Sequence, residues 1–342
     1  MTGPFGFEVR AAWRRNDAAI EADAIDFWRR NALLPDGVEP EARAKELIAA
    51  AYKDGKLVAV STATIMRIEF LRANFAVIRG ATDPRYRRSK AQLALAVPSR
   101  EALQSWAIAH PEEKLAGGFV FVDQSEWGDF TKLPVWPESE LALVGYGDDG
   151  QQLRAAWFDH FVFGRDPVLT PPPLPPVSPE GLAGVEFREG WRREDPQIEV
   201  DVIAFWNRLG ILPAGASAEE RVKDIVIAAY LDGQVIGVVT ASLDILPQVR
   251  ARLAMLRGAV DPAFRRRHIG IMMMFMVRPI IERWSRDNPR ERVAGIGTIV
   301  QSPDLAERAK RPWSRFNRYM LIGFTPNDWQ VRVNWFEDFR LD

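Results

Sequence analysis

A run of four basic residues stands directly before an apolar segment in the second half of the sequence. The run spans 265–268, and the apolar residues of 271–284 predict a buried helix immediately after it. A helix N-terminus carries about half a positive charge, so basic side chains there cost stability unless an anion shares the site. Exposed backbone N–H groups and guanidinium groups together favour a phosphate or a pyrophosphate. The alternative is a solvated basic loop that pairs with carboxylates of its own chain.

The elements that must position this basic run occur twice in the sequence. Trp191-Arg192-Arg193 repeats Trp13-Arg14-Arg15 at a distance of 178 residues, and the same distance relates Asp261-Pro262 to Asp83-Pro84. The alignment needs no gap. It predicts two copies of one domain, each near the usual domain size of about 100 to 150 residues.

The repeat also predicts the domain limits. We expect a first domain at 1–163, a proline-rich linker at 164–184 and a second domain at 185–342. The linker contains Pro171-Pro172-Pro173, which favours an extended polyproline II conformation and does not join the interior of a sheet. Two equal copies on one tether predict a monomer that acts as a pseudo-dimer.

Residue patterns in the second copy predict its secondary structure. A strand at 185–191 precedes a first helix that begins after Asp195 and ends near 213, and a capping box at Ser217 opens a second helix that closes at Asp232-Gly233. The remaining predicted elements are strands at 234–242 and 252–260, the helix at 271–284, a strand at 293–300, a helix at 303–317, and a hairpin of 319–324 with 330–336. This order predicts a mixed α+β sheet flanked by helices rather than a doubly wound Rossmann fold.

The segment that contains the basic run resembles the acyl-CoA-binding motif of the GNAT acetyltransferase superfamily, (Q/R)-x-x-G-x-(G/A). It follows a strand and opens an apolar helix, and the predicted element order agrees. The resemblance covers both copies and implies two tandem GNAT-like domains. It implies that the loop amides hold the CoA pyrophosphate and that 256–260 faces the pantetheine. The residues that it assigns to the CoA site are Val260, Arg265, Arg266, Arg267, His268, Ile269 and Gly270.

The two copies depart from this motif to different degrees. His268 replaces the first motif glycine, although glycine is used where the backbone must approach a phosphate closely. A histidine at this position either narrows the loop or donates to the phosphate itself. The first copy contains no glycine from Arg87 to Gln92, so we expect it to bind CoA weakly or not at all.

Tyr319 is the candidate for the catalytic acid. Proteins of the GNAT superfamily often place a tyrosine four residues before a Gly-Phe pair, where it protonates the leaving thiolate, and Tyr319 stands four residues before Gly323-Phe324. The first copy has Leu141 at the matching position, which cannot donate a proton. The alternative is that Tyr319 is an ordinary aromatic residue of a strand.

Acyl transfer to an amine further requires an oxyanion donor and a base. The backbone N–H near Val260 is the candidate oxyanion donor. The sequence does not identify the base, and a chain of water molecules could serve instead. Its candidates are Asp244, which we expect in the turn between the two central strands, and Asp201 and Glu199 on the first helix, whose counterparts in the first copy are also acidic.

Composition excludes several other classes of protein. The 342 residues are 47% hydrophobic and 27% charged, as in globular chains, and the net charge of -1 provides no global field for nucleic acid or anionic lipid. With no cysteine and three widely spaced histidines, we expect no metal site. Gly145-x-Gly147-x-x-Gly150 matches the dinucleotide fingerprint, but no helix follows, and we predict a hairpin turn there. Residues 1–10 lack the pattern of a secretory signal, and the longest apolar run is too short to span a bilayer, so we expect a cytoplasmic protein.

Together these observations predict an acyl-CoA-dependent N-acyltransferase, specifically an acetyltransferase. Its co-substrate would be acetyl-CoA or another acyl-CoA, and its acceptor the amine of a small molecule or a peptide, with no nucleic acid or membrane partner. Two alternatives stay open. One is an aminoacyl-tRNA-dependent transferase, and the other is a non-catalytic module that binds CoA or phosphate.

Overall fold

The chain folds into two compact units. The computed structural model describes residues 4–87, 89–165, 179–212, 215–265, 267–313 and 318–342. The first unit comprises Met1–Pro171 with Ala309–Trp313, and the second comprises Pro172–Arg308 with Ser314–Asp342. Most of the predicted linker lies outside the described residues. Its last part, Pro179–Leu182, is a short 3-10 helix whose Leu182 packs against the core of the second unit.

The first unit alternates short helices with the strands of one sheet. Its elements in chain order are β1 (Glu8–Ala11), α1 (Ala18–Asn31), α2 (Pro40–Ala44), β2 (Leu47–Lys53), β3 (Lys56–Ile68), β4 (Ala73–Thr82), α3 (Ala91–Ala109), β5 (Leu115–Val122), α4 (Gln124–Trp127), β6 (Ala142–Tyr146) and β7 (Gln152–Trp157).

The second unit repeats this order. Its elements are β8 (Val185–Glu189), α5 (Pro196–Leu209), α6 (Ala218–Arg221), β9 (Ile225–Leu231), β10 (Gln234–Leu246), β11 (Ala251–Val260), α7 (Ile269–Asp287), β12 (Val293–Val300), α8 (Pro303–Arg308), β13 (Met320–Phe324) and β14 (Gln330–Trp335).

Each unit has one seven-stranded mixed sheet. The strand order is β1-β2-β3-β4-β5-β7-β6 in the first unit and β8-β9-β10-β11-β12-β14-β13 in the second. Only β4 with β5, and β11 with β12, pair in parallel, because α3 and α7 provide the crossovers that parallel neighbours require. The predicted mixed α+β fold in two tandem copies is confirmed.

Helices cover both faces of each sheet. In the second unit, α7 packs on one face through Ile269, Met273 and Val277, and α5 with α6 packs on the other through Val202 and Phe205. The first unit has the same two layers, with α3 on one face and α1 with α2 on the other. The sheet therefore separates a surface on the α7 side from a surface on the α5 side.

The first helix of the second unit forms as its sequence predicts. Asp195 caps α5 by accepting the N–H groups of Gln197 (3.1 Å) and Ile198 (3.2 Å), and Gly210 ends the helix in the left-handed conformation at φ 59°. Trp206 is buried on the face toward the sheet. The sequence therefore fixes this helix locally at both ends.

The prediction of a long second helix was wrong. Ser217 does cap a helix, accepting the Glu220 N–H at 3.1 Å, but α6 ends at Arg221 and the chain continues as β9. The segment that forms β9 is rich in β-branched residues and is buried on both faces, so a central strand satisfies it better than an amphipathic helix does. Asp232-Gly233 is accordingly the turn of the hairpin between β9 and β10, with positive φ at both residues.

Two further predictions are corrected and one is confirmed. The helix predicted at 303–317 ends at Arg308, and its residues 314–317 lie outside the described part of the chain. Asp244 lies within β10 rather than in a turn, because this strand runs on to Leu246. Gly147 and Gly150 form the hairpin turn between β6 and β7, as predicted, with the Gly150 N–H donating to Gly147 O at 3.0 Å.

Candidate functional site

The two parallel strands of the second sheet separate before they end. Pairing between β11 and β12 runs from Arg252 opposite Val293 to Leu256 opposite Thr298 and then stops, although each strand continues further. The first unit shows the same separation between β4 and β5 after the pair Val77 and Phe119. We call this opening in the second unit the strand fork.

Backbone groups of β11 face the strand fork. The Asp261 N–H donates to Ile236 O at 2.9 Å. This bond shows which residues of β11 form hydrogen bonds with β10 in the antiparallel ladder. In such a ladder alternate residues bond to the partner strand and the others turn away from it. Gly258 and Val260 are the residues that turn away from β10, so their N–H and C=O groups point into the fork. The backbone N–H of Val260, predicted as the oxyanion donor, therefore lies on the edge of β11 that faces the strand fork.

The basic loop connects the strand fork to α7. Asp261 accepts the Ala263 N–H at 2.9 Å and the Arg208 guanidinium at 2.6 Å, and these contacts hold the pKa of its buried carboxyl below the usual value. A 3-10 turn, Pro262–Phe264, follows, and His268 then adopts the left-handed conformation at φ 61° as the residue before the helix. A glycine would adopt this conformation without strain, which explains why the motif of the GNAT superfamily has glycine there.

The N-terminus of α7 carries polar groups that the described chain does not satisfy. His268 forms no side-chain cap, and its buried Nδ1 has no hydrogen-bond partner in the described ranges. The first intrahelical bond runs from the Met272 N–H to His268 O at 3.0 Å, so the N–H groups of the first turn remain available to a ligand. An anion with several acceptor oxygens fits this set of donors.

Two arginines of the loop, Arg265 and Arg267, have no ion-pair partner among the described residues, although the charge of Arg265 contributes to the lowered pKa of Asp261. Arg265 is exposed and Arg267 is half-buried over the ring of Phe264, at 5.7 Å from the guanidinium carbon to the ring centroid. Neither side chain forms an ion pair within the part of the chain that the structure describes. Arg266 lies outside the described residues. The observation favours the anion site over the alternative of a loop paired with its own carboxylates.

The last two residues of the predicted CoA site have opposite environments. The Ile269 side chain is fully buried in the core, so only its backbone N–H could reach a ligand. Gly270 faces open space. A Cβ built on it would have one neighbour within 4 Å outside the helix in the described structure, Val260 Cγ2 at 3.5 Å.

The first unit fills this same space with a side chain. Gln92 is the counterpart of Gly270, and its Nε2 donates to Ala81 O at 2.9 Å and lies 2.8 Å from Thr82 Oγ1. Its Oε1 would stand 2.7 Å from a Cβ on Gly80, so the amide covers the last residues of β4. Arg85 of the same loop is paired with Asp83 at 2.7 Å. The missing glycine was visible in the sequence, but the direction of the Gln92 side chain was not.

Tyr319 lies in the core of the second unit, immediately before β13. Burial raises the pKa of its phenol, against the smaller opposing effect of Arg278 on α7, so the hydroxyl keeps its proton at neutral pH. A proton donor requires that state. The same residue packs with Met273 and Val277 in the apolar cluster under α7, on the side of the sheet where the basic loop begins that helix.

The three candidates for the base differ in whether a tyrosine binds their carboxylate. Asp201 accepts a hydrogen bond from Tyr230 at 3.1 Å, and Asp23 of the first unit accepts one from Tyr52 at 2.8 Å. Because both copies have this pair, it belongs to the scaffold. Asp244 is exposed on β10 and accepts a hydrogen bond from Ser242 at 2.5 Å. Glu199 lies in the first turn of α5.

Two arginines beside the strand fork were not found from the sequence. Arg257 is the first residue of β11 beyond its last pair with β12, and it is exposed on the α5 side of the sheet. Arg221 ends α6, and burial together with the charge of Arg257 lowers its pKa. Arg221 lies near Arg257 because the chain leaves α6 through a 3-10 turn, Val222–Asp224, and enters β9, whereas the sequence predicted a continuous helix there.

Neither a metal centre nor a membrane span is found among the described residues. No group of three or more His, Asp or Glu side chains there could hold a metal ion. No helix in the same ranges is long and apolar enough to cross a membrane.

Solved structures of acetyltransferases resemble parts of this chain. The acetyltransferase of the GNAT family from Streptococcus pneumoniae is 14% identical, with a TM-score of 0.29, over 44% of this chain and 96% of that one. N-acetylglutamate synthase from Neisseria gonorrhoeae, complexed with coenzyme A and N-acetyl-glutamate, is 14% identical, with a TM-score of 0.25, over 44% of this chain and 35% of that one. A GCN5-related N-acetyltransferase from Sphaerobacter thermophilus is 13% identical, with a TM-score of 0.24, over 83% of this chain and 84% of that one.

The resemblance to GNAT proteins holds for the fold. No protein-family model matches the chain, and no curated protein sequence matches it. The two similar sheets of the chain, with the same strand order and a strand fork in each unit, agree with the predicted tandem arrangement.

Proposed function

We propose that the protein is an acyl-CoA-dependent N-acyltransferase whose second unit binds the acyl-CoA. The observation that carries the proposal is the combination of the strand fork with an unneutralised helix N-terminus at its end. The donors of the first turn of α7, the buried Nδ1 of His268 and the side chains of Arg265 and Arg267 suit the diphosphate of CoA. Arg266 belongs to the proposal by its place in the loop.

The pantetheine would occupy the strand fork. The backbone groups of Gly258 and Val260 that face the fork suit the amides of an extended ligand, which would replace the missing neighbour strand. Gly270 leaves room for this ligand between α7 and β11, because it has no side chain where the first unit has Gln92; among the described residues outside the helix, a Cβ on Gly270 would have only Val260 Cγ2 within 4 Å, at 3.5 Å. The thioester would then lie at the fork, where the Val260 N–H can stabilise the developing oxyanion.

The chain's own groups would complete the acyl transfer. Acetyl-CoA supplies an activated acyl group, and the amine of the acceptor forms the new C–N bond as the C–S bond breaks. The amine gives up its proton to a chain of water molecules. Tyr319, whose pKa is raised by burial, donates a proton to the leaving thiolate. We propose a small molecule or a peptide as the source of the amine.

The first unit would not bind CoA. Gln92 covers the end of β4 and Asp83 neutralises Arg85, so the space and the charge that the ligand needs are both taken. We propose that this unit serves as a partner domain of the catalytic unit.

Calorimetric titration with acetyl-CoA tests the proposal. We expect one molecule bound per chain, together with release of free thiol when primary amines are added as acceptors. A chain that gives no heat with acetyl-CoA up to about 1 mM, where even weak binding of about -4 kcal/mol is measurable, would refute the proposal. Heat with inorganic pyrophosphate but not with acetyl-CoA would indicate a phosphate-binding module instead.

A further inference from the structure

A pair of arginines occurs at the same positions of both units but has different partners in each. In the first unit Glu46 forms ion pairs with both arginines: its carboxylate lies 2.7 Å from Arg43 and 3.9 Å from Arg79. Arg79 also donates to Thr64 Oγ1 at 3.3 Å. The first unit therefore neutralises these arginines with a carboxylate of its own chain.

The second unit keeps the arginines and loses that carboxylate. Arg221 and Arg257 are the counterparts of Arg43 and Arg79, and Asp224 replaces Glu46 with a side chain one methylene shorter. Asp224 lies 3.4 Å from Arg192 instead. Ser242, the counterpart of Thr64, bonds to Asp244 and not to the arginine.

As a result, neither arginine has an acidic partner. The Nε of Arg221 is buried without a hydrogen-bond partner, and neither Arg221 nor Arg257 forms an ion pair among the residues that the structure describes. The guanidinium of Arg221 lies over the Trp206 ring, 5.4 Å from its centroid, which restricts where its donors can point. Arg221 is half-buried and Arg257 is exposed, and the charge of Arg257 lowers the pKa of Arg221, so a carboxylate supplied from outside would relieve the repulsion between the two guanidinium groups.

The place of these arginines connects them to the acyl transfer. Arg257 stands where β11 leaves β12, opposite Thr240 of β10, and thus beside the mouth of the strand fork. It lies on the α5 side of the sheet, whereas the basic loop leads into α7 on the other side. A ligand held by Arg221 and Arg257 would approach the fork from the face opposite to the CoA diphosphate.

We propose that Arg221 and Arg257 bind a carboxylate of the acceptor, so that the acceptor is an amine that also carries a carboxylate group, as amino acids do. This inference rests on the proposed acyl transfer and names its acceptor class. The first unit shows that the pair accommodates one carboxylate, because the Glu46 carboxylate contacts both arginines there. Guanidinium groups match the planar geometry of a carboxylate and can each donate two hydrogen bonds to it.

Binding of a simple dicarboxylate tests the site without any turnover. Succinate is the probe, succinamide is its uncharged control, and inorganic phosphate tests for a general anion site; each is titrated into the full chain and followed by ligand-observed NMR. We expect succinate to bind and succinamide not to bind. In Arg257→Gln and Arg221→Gln, succinate affinity should fall by about 10- to 100-fold, as expected for loss of a hydrogen bond to a charged group.

Two further variants separate the arginine site from general effects of charge. Asp224→Glu restores the longer acid of the first unit, and we expect it to reduce succinate affinity although both arginines are retained. Arg79→Gln is the matched control in the first unit and should leave succinate affinity unchanged. Equal affinities for succinate and succinamide, an unchanged affinity in Arg257→Gln, or phosphate binding as tightly as succinate would each overturn the proposal.

Turnover distinguishes this inference from the proposed function. With acetyl-CoA and a panel of L-amino acids and their carboxamides, we expect the free acids to be the better acceptors, and Arg257→Gln to raise KM for the acids by about 10-fold or more. Acetyl-CoA affinity should not change in that variant. If acetyl-CoA does not bind the wild-type chain, the proposed acyl transfer is refuted, whatever the result of the succinate titration. If acetyl-CoA binds but carboxamides react as well as the acids, only the carboxylate site fails.

Discussion

Closing the candidate CoA site with the side chain that the first unit already uses is the most informative perturbation. Gly270→Gln places in the second unit the residue that stands at the same position of the first, where Gln92 covers the end of β4. The backbone accepts the change, because Gly270 does not have a positive φ and a Cβ there would meet only Val260 Cγ2, at an ordinary 3.5 Å. We therefore expect the variant to fold and to lose CoA affinity.

The size of the loss follows from the contacts of Gln92. Gln92 Nε2 lies 2.9 Å from Ala81 O and 3.4 Å from Val60 O, and the corresponding acceptors in the second unit are the carbonyls of Ala259 and Val238, because Val260 lacks the hydroxyl that Thr82 offers. CoA would have to displace two hydrogen bonds of about 0.5 to 1.5 kcal/mol each. The dissociation constant should rise by about 5- to 150-fold. Stability should not fall, since replacing glycine at a compatible position adds about 0.4 to 1 kcal/mol by restricting the unfolded chain.

Calorimetric titration with CoA and thermal unfolding of the same samples measure both effects. Gln92→Gly is the matched control: it alters the first unit and should leave the affinity of the second unit for CoA unchanged. Wild-type CoA affinity in a stably folded Gly270→Gln chain would refute the placement of the ligand between α7 and β11. Reduced affinity together with reduced stability would instead indicate damage to the fold.

Other substitutions separate the roles of ligand binding, chemistry and scaffold. The double variant Arg265→Glu with Arg267→Glu should lower CoA affinity by about 100-fold or more with little change in melting temperature, because it reverses two charges that form no ion pair among the described residues; calorimetry with CoA checks this, and unchanged affinity would contradict it. Tyr319→Phe should lower kcat far more than CoA affinity, whereas equal wild-type and variant rates of thiol release would exclude Tyr319 as the acid. Because burial raises the pKa of Tyr319 above its ordinary value of about 10, the acid stays protonated, and wild-type kcat should not fall as the pH passes that value. Tyr230→Phe and Tyr52→Phe should each lower the free energy of unfolding in urea by about 1 to 3 kcal/mol, since each removes a hydrogen bond to a carboxylate; loss of turnover without loss of stability in Tyr230→Phe would show that Asp201 takes part in the chemistry.

The sequence predicted the fold where local residue patterns and the repeat agreed. The cap at Asp195, the apolar positions of α5 and α7, and the β-rich runs of β10 and β11 each specify an element from residues close together in the chain. The repeat then extended these predictions to the first unit. The fold class required only this local information and the order of the elements.

The failed predictions involve contacts between distant segments. The capping box before β9 indicated a helix, but the β-branched residues of β9 and its burial between two helical layers decide for the strand. The end of β4 is covered and the end of β11 is open because the Gln92 side chain extends over β4, whereas Gly270 has no side chain. The proximity of Arg221 to Arg257 depends on how the chain turns from α6 into β9. Sequence patterns identified the basic loop, but only the structure identifies which of its charges the chain neutralises.

A crystal structure of the chain soaked with CoA tests whether the basic loop and the first turn of α7 bind the diphosphate of CoA. We expect electron density for a diphosphate against the backbone N–H groups of 269–271 and the side chains of Arg265 and Arg267, in the second unit only. Density in the first unit alone, or a loop whose arginines contact only carboxylates of their own chain while CoA is absent, would contradict it.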